Sequence, residues 1–146
     1  RTNEVSSRIG TVTTDYVGVT GGAALGQPEW AFNGTVNYAQ GPFGASLQAR
    51  YIDSGILDVR YLQPGDAGYS TKSPFSVNDN SIDSIIYTTL SLRYDLPLEM
   101  PMQLSLTVNN LFDKDPPLAP GGSYPTNTQF FDQVGRAFRI GLRSQF

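Results

Sequence analysis

The chain contains no cysteine and no histidine. Their absence excludes a disulfide framework, a Cys or His metal centre, a thiol nucleophile and a His-dependent triad. Charge is also scarce, at 16% of residues against roughly 25% in an ordinary soluble domain, which argues against a highly charged disordered chain. The formal net charge is -3 and only two residues are Lys, so no basic tract is present to neutralise a nucleic-acid backbone. No apolar run approaches the ~18 to 20 residues of a membrane helix, and no N-terminal signal peptide is present, so a helical membrane protein is excluded. A transmembrane β-barrel is not, because its strands alternate and never build a long apolar run. Position 1 is Arg rather than Met, so the chain reads as a processed product or part of something longer. Its 146 residues correspond to about one domain.

What the chain does have is alternation. From Ser81 to Leu96 one parity holds Ile82, Ser84, Ile86, Thr88, Leu90, Leu92, Tyr94 and Leu96, and the other holds Asp83, Ile85, Tyr87, Thr89, Ser91, Arg93 and Asp95. That pattern predicts a strand with one apolar and one polar face. After the turn Pro97–Pro101 it resumes, with Met102, Leu104, Leu106 and Val108 opposed to Gln103, Ser105, Thr107 and Asn109. The last stretch, VGRAFRIGLRSQF, sets Phe138, Ile140, Leu142 and Phe146 against Arg139, Arg143 and Gln145. Upstream, Trp30, Phe32, Val36 and Tyr38 oppose Asn33, Thr35 and Asn37; beyond Gly41-Pro42, Phe43, Ala45, Leu47, Ala49 and Tyr51 oppose Ser46, Gln48 and Arg50. Residues 1–27 read as a partial strand leading into an outer loop.

Five strands of the ~9 to 11 residues needed to cross a bilayer are thus predicted. Short turns near 39–42 and 97–101 alternate with long polar connections at 53–81 and 113–133, as periplasmic turns and extracellular loops do in transmembrane barrels. Aromatics gather towards strand ends and aliphatics fill the middles, the arrangement that two membrane interfaces select. Strand charges fall on the polar parity: Arg50, Asp83, Arg93, Asp95, Arg139 and Arg143. These predict a lumenal ladder, either pairing across strands or touching a plug or solute. Arg136 is the exception on the apolar parity, and a position near a strand end lowers its cost.

Two segments add a family likeness. NNLFDKDPP supplies Asn110, Leu111, Phe112, Asp113, Pro116 and Pro117; Tyr124 and Asp132 follow; GRAFRIG supplies Gly135, Arg136, Phe138 and Gly141. In order and spacing this resembles the C-terminal barrel of TonB-dependent outer-membrane receptors, over residues 28–146. Phe138, Ile140, Leu142 and the terminal Phe146 also resemble the signal read by the barrel-assembly machinery, from which Ser144 departs. The resemblance implies an all-β fold: about five to six antiparallel strands of a 22-stranded transmembrane barrel. It implies a bacterial outer-membrane location with the C-terminus on the periplasmic side, and uptake of a scarce solute, a ferric siderophore or similar iron chelate first, with carbohydrate or cobalamin as alternatives. Its implied partners are the remaining strands and plug of the same receptor, the TonB-ExbB-ExbD complex, the barrel-assembly machinery, and outer-membrane lipid with lipopolysaccharide. No cofactor is implied.

The individual residues admit plainer readings. Asp113 and Asp115 bracket Lys114, but the segment lacks the loop spacing that would give calcium its roughly six to eight oxygens. Asn110 and Asp113 suit strand-end hydrogen bonding, and Pro116 and Pro117 stiffen the exit. Asp53 with Asp58, or Asp79 with Asp83, could pair for hydrolysis, yet without His or an activated nucleophile no enzyme is expected. In the 53–81 connection, Tyr61, Gln63, Tyr69, Lys72 and Phe75 form the candidate ligand loop. Asn33-Gly34-Thr35 matches a glycosylation pattern inside a predicted strand and is set aside. Two other classes remain open: a complete small outer-membrane barrel with a structural or adhesion role, and a soluble all-β binding module.

Overall fold

The computed structural model describes residues 2–7, 10–22, 26–120 and 124–144. Its strands are β1 (Thr2–Ser7), β2 (Gly10–Asp15), β3 (Ala31–Gln40), β4 (Phe43–Ile52), β5 (Gly55–Ile56), β6 (Ser81–Ile82), β7 (Ile85–Leu96), β8 (Met102–Asn109) and β9 (Ala137–Ser144). β1 and β2 form an antiparallel hairpin, β5 and β6 form a second small sheet, and the rest form one sheet in the order β3-β4-β7-β8-β9. β3 and β4 are joined through Gly41, whose φ of 55° followed by Pro42 suits the tight primed turn that a right-twisted hairpin prefers.

Alternation along these strands becomes two faces of one sheet. Leu90, Leu92, Tyr94 and Leu96 lie opposite Val108, Leu106, Leu104 and Met102, and those four continue onto Phe138, Ile140, Leu142 and Ser144. On the reverse face Ser91, Arg93 and Asp95 meet Thr107, Ser105 and Gln103, which meet Arg139, Gly141 and Arg143.

The run 81–96 is not one strand. The Asp79 carboxylate accepts the Ser81 N–H (2.8 Å) and hydroxyl (2.6 Å), Ser81–Ile82 pairs with Gly55–Ile56, and β7 starts only at Ile85. β8 stops at Asn109 because Asn110 turns left-handed, with φ 49°.

The all-β reading holds, but the transmembrane barrel does not. The five-stranded sheet is open, with β3 and β9 as its two edges. Open edges cannot stand in hydrocarbon, where each unpaired backbone group costs several kcal/mol, so a spanning sheet has to close on itself. The identification with a segment of a 22-stranded receptor barrel is corrected on that ground. With it go the outer-membrane location, a lumen for Arg50, Arg93, Asp95, Arg139 and Arg143, and the solute-uptake function. The partner set of plug, further barrel strands, TonB-ExbB-ExbD, barrel-assembly machinery and membrane lipid falls for the same reason. Phe146, the last residue of the assembly signal, lies outside the described residues.

The chain divides into two compact units. One combines residues 1–31, 52–85 and 116–131; the other combines 32–51, 86–115 and 132–146 and holds nearly all of the five-stranded sheet. The first contains most of the buried side chains: Val19, Thr20, Ile52, Ile82, Ala119, Thr126, Asn127 and Phe131. Its backbone segments touch directly. A Cβ at Gly21 would collide with the Leu57 backbone, and one at Gly26 with the Val19 carbonyl, so only glycine permits this approach. Asn127 closes the interior by donating through Nδ2 to the carbonyls of Gly21 (2.7 Å) and Thr20 (3.3 Å).

Candidate functional site

The site best formed in the first unit begins at a three-residue turn after β5. The Asp58 carboxylate accepts the Arg60 backbone N–H at 2.9 Å, the Nε–H at 3.0 Å and the Nη2–H at 2.7 Å. A residue whose side chain bonds the backbone two positions on folds its own turn, and the fork of a guanidinium matches a carboxylate in two parallel bonds. The Arg60 bond holds the Asp58 carboxyl below its ordinary range against the opposing effect of burial, and raises Arg60 in turn.

Asn80 fixes this turn in space. It is 8% exposed, accepts the Asp58 N–H through Oδ1 at 3.2 Å, and donates through Nδ2 to the carbonyls of Asp58 (3.1 Å) and Tyr61 (3.4 Å). Its own N–H is taken by Gln63 Oε1 at 3.1 Å. The Arg60 guanidinium lies 5.7 Å from the centroid of the Phe75 ring, a cation–π distance. Above the turn opens a cleft of about 550 Å³ lined by Tyr16, Leu57, Asp58, Arg60, Tyr61 and Pro120. It offers two phenols, a leucine and the outward N–H groups of a guanidinium whose charge Asp58 offsets.

Of the candidate ligand loop, Tyr61 lines this cleft and Phe75 backs Arg60. Gln63 is spent on Asn80 and on the turn in which its N–H meets Asp66 Oδ2 at 2.8 Å. Tyr69 and Lys72 belong to the neighbouring turns, where their N–H groups donate to the Asp66 carbonyl and the Ser70 hydroxyl. Sequence reasoning missed Tyr16, Leu57 and Arg60. The one local signal was the Asp-Val-Arg spacing at 58–60, which a side-chain-to-backbone turn favours; nothing marked Tyr16, since it joins through the fold.

The polar residues of the five-stranded sheet sit in the second unit. Asp95 accepts from Gln103 Nε2 at 2.7 Å, and the Arg50 guanidinium stands 5.1 Å from the Tyr87 centroid. The Tyr87 hydroxyl accepts the Asp132 N–H at 3.2 Å, and burial raises its pKa. A small cavity of about 140 Å³ lies among Asn33, Gln48, Arg50, Tyr87, Asn109 and Asp132. Asp83, grouped with these charges by parity, instead falls between β6 and β7 in the first unit.

The NLFD segment forms a tight bracket after β8. Asn110, 3% exposed, accepts the Lys114 N–H through Oδ1 and donates through Nδ2 to the Lys114 carbonyl, both at 2.9 Å. The Leu111 N–H donates to the Thr88 carbonyl at 2.8 Å. Asp113, with φ 51°, accepts the Arg136 N–H at 2.8 Å and lies 3.6 Å from its guanidinium. A Cβ at Gly135 would approach that carboxylate to 3.1 Å. Phe112, Tyr124, Phe138, Ile140 and Leu142 are exposed, Gly141 pairs with Ser105, and Pro116 and Pro117 follow the bracket in irregular chain. Among the described residues no three acidic side chains converge on a metal position.

Comparison with protein-family models, curated proteins and solved structures returned no match.

Proposed function

We propose that this chain is an all-β binding module whose ligand site is the cleft over the Asp58–Arg60 turn. The observation that carries the reading is that cleft: about 550 Å³, with Tyr16 and Tyr61 beside a guanidinium already paired to Asp58. Its size falls in the range of ligand pockets, ~300 to 1,000 Å³, and its lining is about equally polar and apolar, which suits a polar ligand. The paired charges favour a small polar ligand with little net charge, its flat or apolar side against the tyrosines and its hydroxyl or carbonyl groups on Arg60. Nothing in the role requires bond chemistry, and the absence of His and Cys leaves the cleft without the commonest general base and nucleophile.

The test is an amide NMR titration of the full chain with a library of small polar fragments. Fragments should move the Tyr16, Asp58, Arg60 and Tyr61 resonances, and Arg60→Ala should weaken them by roughly tenfold, the loss of a charge-assisted hydrogen bond. Fragments that instead gather at Arg50 and Tyr87, indifferent to Arg60→Ala, would move the site to the sheet and overturn this reading.

A further inference from the structure

β3 is one edge of the five-stranded sheet, and all ten of its residues are exposed. Edge strands are ordinarily guarded by shortness, proline or charge, because an open edge is a template for another strand. β9, at the opposite edge, carries Arg139 and Arg143. β3 reads AFNGTVNYAQ and has none of these guards.

Its residue types are also nearly symmetric about Thr35. We propose that β3 is an interface between two copies of this chain, paired antiparallel about a two-fold axis through Thr35. In that register Ala31 faces the partner's Ala39, Phe32 the partner's Tyr38, Asn33 the partner's Asn37, Gly34 the partner's Val36, and Thr35 its own counterpart. Residues opposed in this way share a parity and therefore a face, and an isologous contact makes every unequal pair twice. Two aromatic pairs stand on one face and two asparagine pairs on the other, and such cross-strand pairs are the units that stabilise a sheet. The Gly34–Val36 positions are open to a partner: a Cβ at Gly34 would meet nothing within 4 Å, and Val36 is 71% exposed. Sliding the pairing so that Val36 faces itself would set Phe32 on the partner's Gln40 and Asn33 on its Ala39, losing both matches. A one-residue slip would turn apolar side chains onto the polar face.

The chain has no native cysteine, so a single introduced thiol reports the register. Opposed residues in an antiparallel pair have Cα atoms ~4.5 to 5.5 Å apart, inside the span a disulfide bridges. Under mild oxidation of the full chain, Thr35→Cys should give a covalent dimer at least about tenfold faster than Asn33→Cys or Val36→Cys alone, since only position 35 meets itself. A mixture of Asn33→Cys and Asn37→Cys chains should cross-link to each other. Light scattering of the unmodified chain should give twice 15.9 kDa, and Val36→Lys should return it to monomer. Equal cross-linking at all positions, preferential cross-linking at position 36, a monomeric mass throughout, or a different protein held on β3 in place of a second copy would each overturn the proposal.

Discussion

The two units of this chain invert the usual relation between regularity and burial. The one made of irregular segments, with strands of two to six residues, encloses Val19, Thr20, Ala119, Thr126 and Phe131 at 2% exposure or less. The one made of long, well-patterned strands leaves Phe138 at 67%, Ile140 at 75% and Leu142 at 62% exposed. A single sheet layer has nothing to bury its apolar face against, and a domain core needs a second layer. Irregular chain can bury itself when glycines let backbones touch and a side chain such as Asn127 takes up the stranded carbonyls. Hydrogen bonding in the sheet and packing in the irregular unit are therefore separate sources of order.

The sharpest way to break this contrast is a matched pair of deletions. Phe131→Ala should cost about 3 to 5 kcal/mol in denaturant unfolding, as large-to-small changes in a core do. Phe138→Ala, the same chemistry on the bare face, should stay within about 0.5 kcal/mol. Similar costs for the two would show that the exposed face is covered in solution.

Asn127→Ala comes next. Removing the donor leaves two buried carbonyls short of a partner, an expected loss of roughly 1 to 3 kcal/mol, read as lost exchange protection and a lower midpoint in the first unit.

The smallest effect concerns Asp58. Its folded pKa is depressed by the bond from Arg60, so its contribution is present above the unfolded carboxylate value of ~3.9 and is lost as pH falls through the folded one. The pair is largely exposed on the Arg60 side, where solvent screens it, so the change is small. Asp58→Asn should flatten that part of the acid profile, and an unchanged profile would remove the pair from the account of the cleft.

The sheet was legible in advance because alternation is a local property. Strands expected around 30–38, 43–51 and 102–113 are found at Ala31–Gln40, Phe43–Ile52 and Met102–Asn109, the last ending four residues early, before Phe112 and Asp113. The break at Asp83-Ser84 was not legible, because the alternating pattern runs through it while Asp79 and β5 draw Ser81–Ile82 away. The interior of the irregular unit left no periodic trace; its contacts join residues as distant as Thr20 and Asn127. The motif at Asn110–Asp113 shows the limit of local likeness. Its residues make a close bracket with Lys114 and Arg136, but a strand-end bracket does not decide whether a sheet closes. Arg60 escaped notice for a related reason, as one of several charges in a polar stretch until Asp58 and Asn80 gave it a fixed direction.

Each unit is assembled from three separate stretches of chain, threaded alternately with those of the other. No single cut in a linker can therefore release either one whole. During synthesis the first unit waits for residues 116–131 and the second for β9, so early segments are held without their final neighbours. Contacts that close over such long intervals carry their loop entropy before any reward arrives, which slows folding and lengthens exposure of an unguarded strand. The order of synthesis thus leaves β3, made before β4, β7, β8 and β9, at risk of meeting another nascent copy before its own sheet is complete.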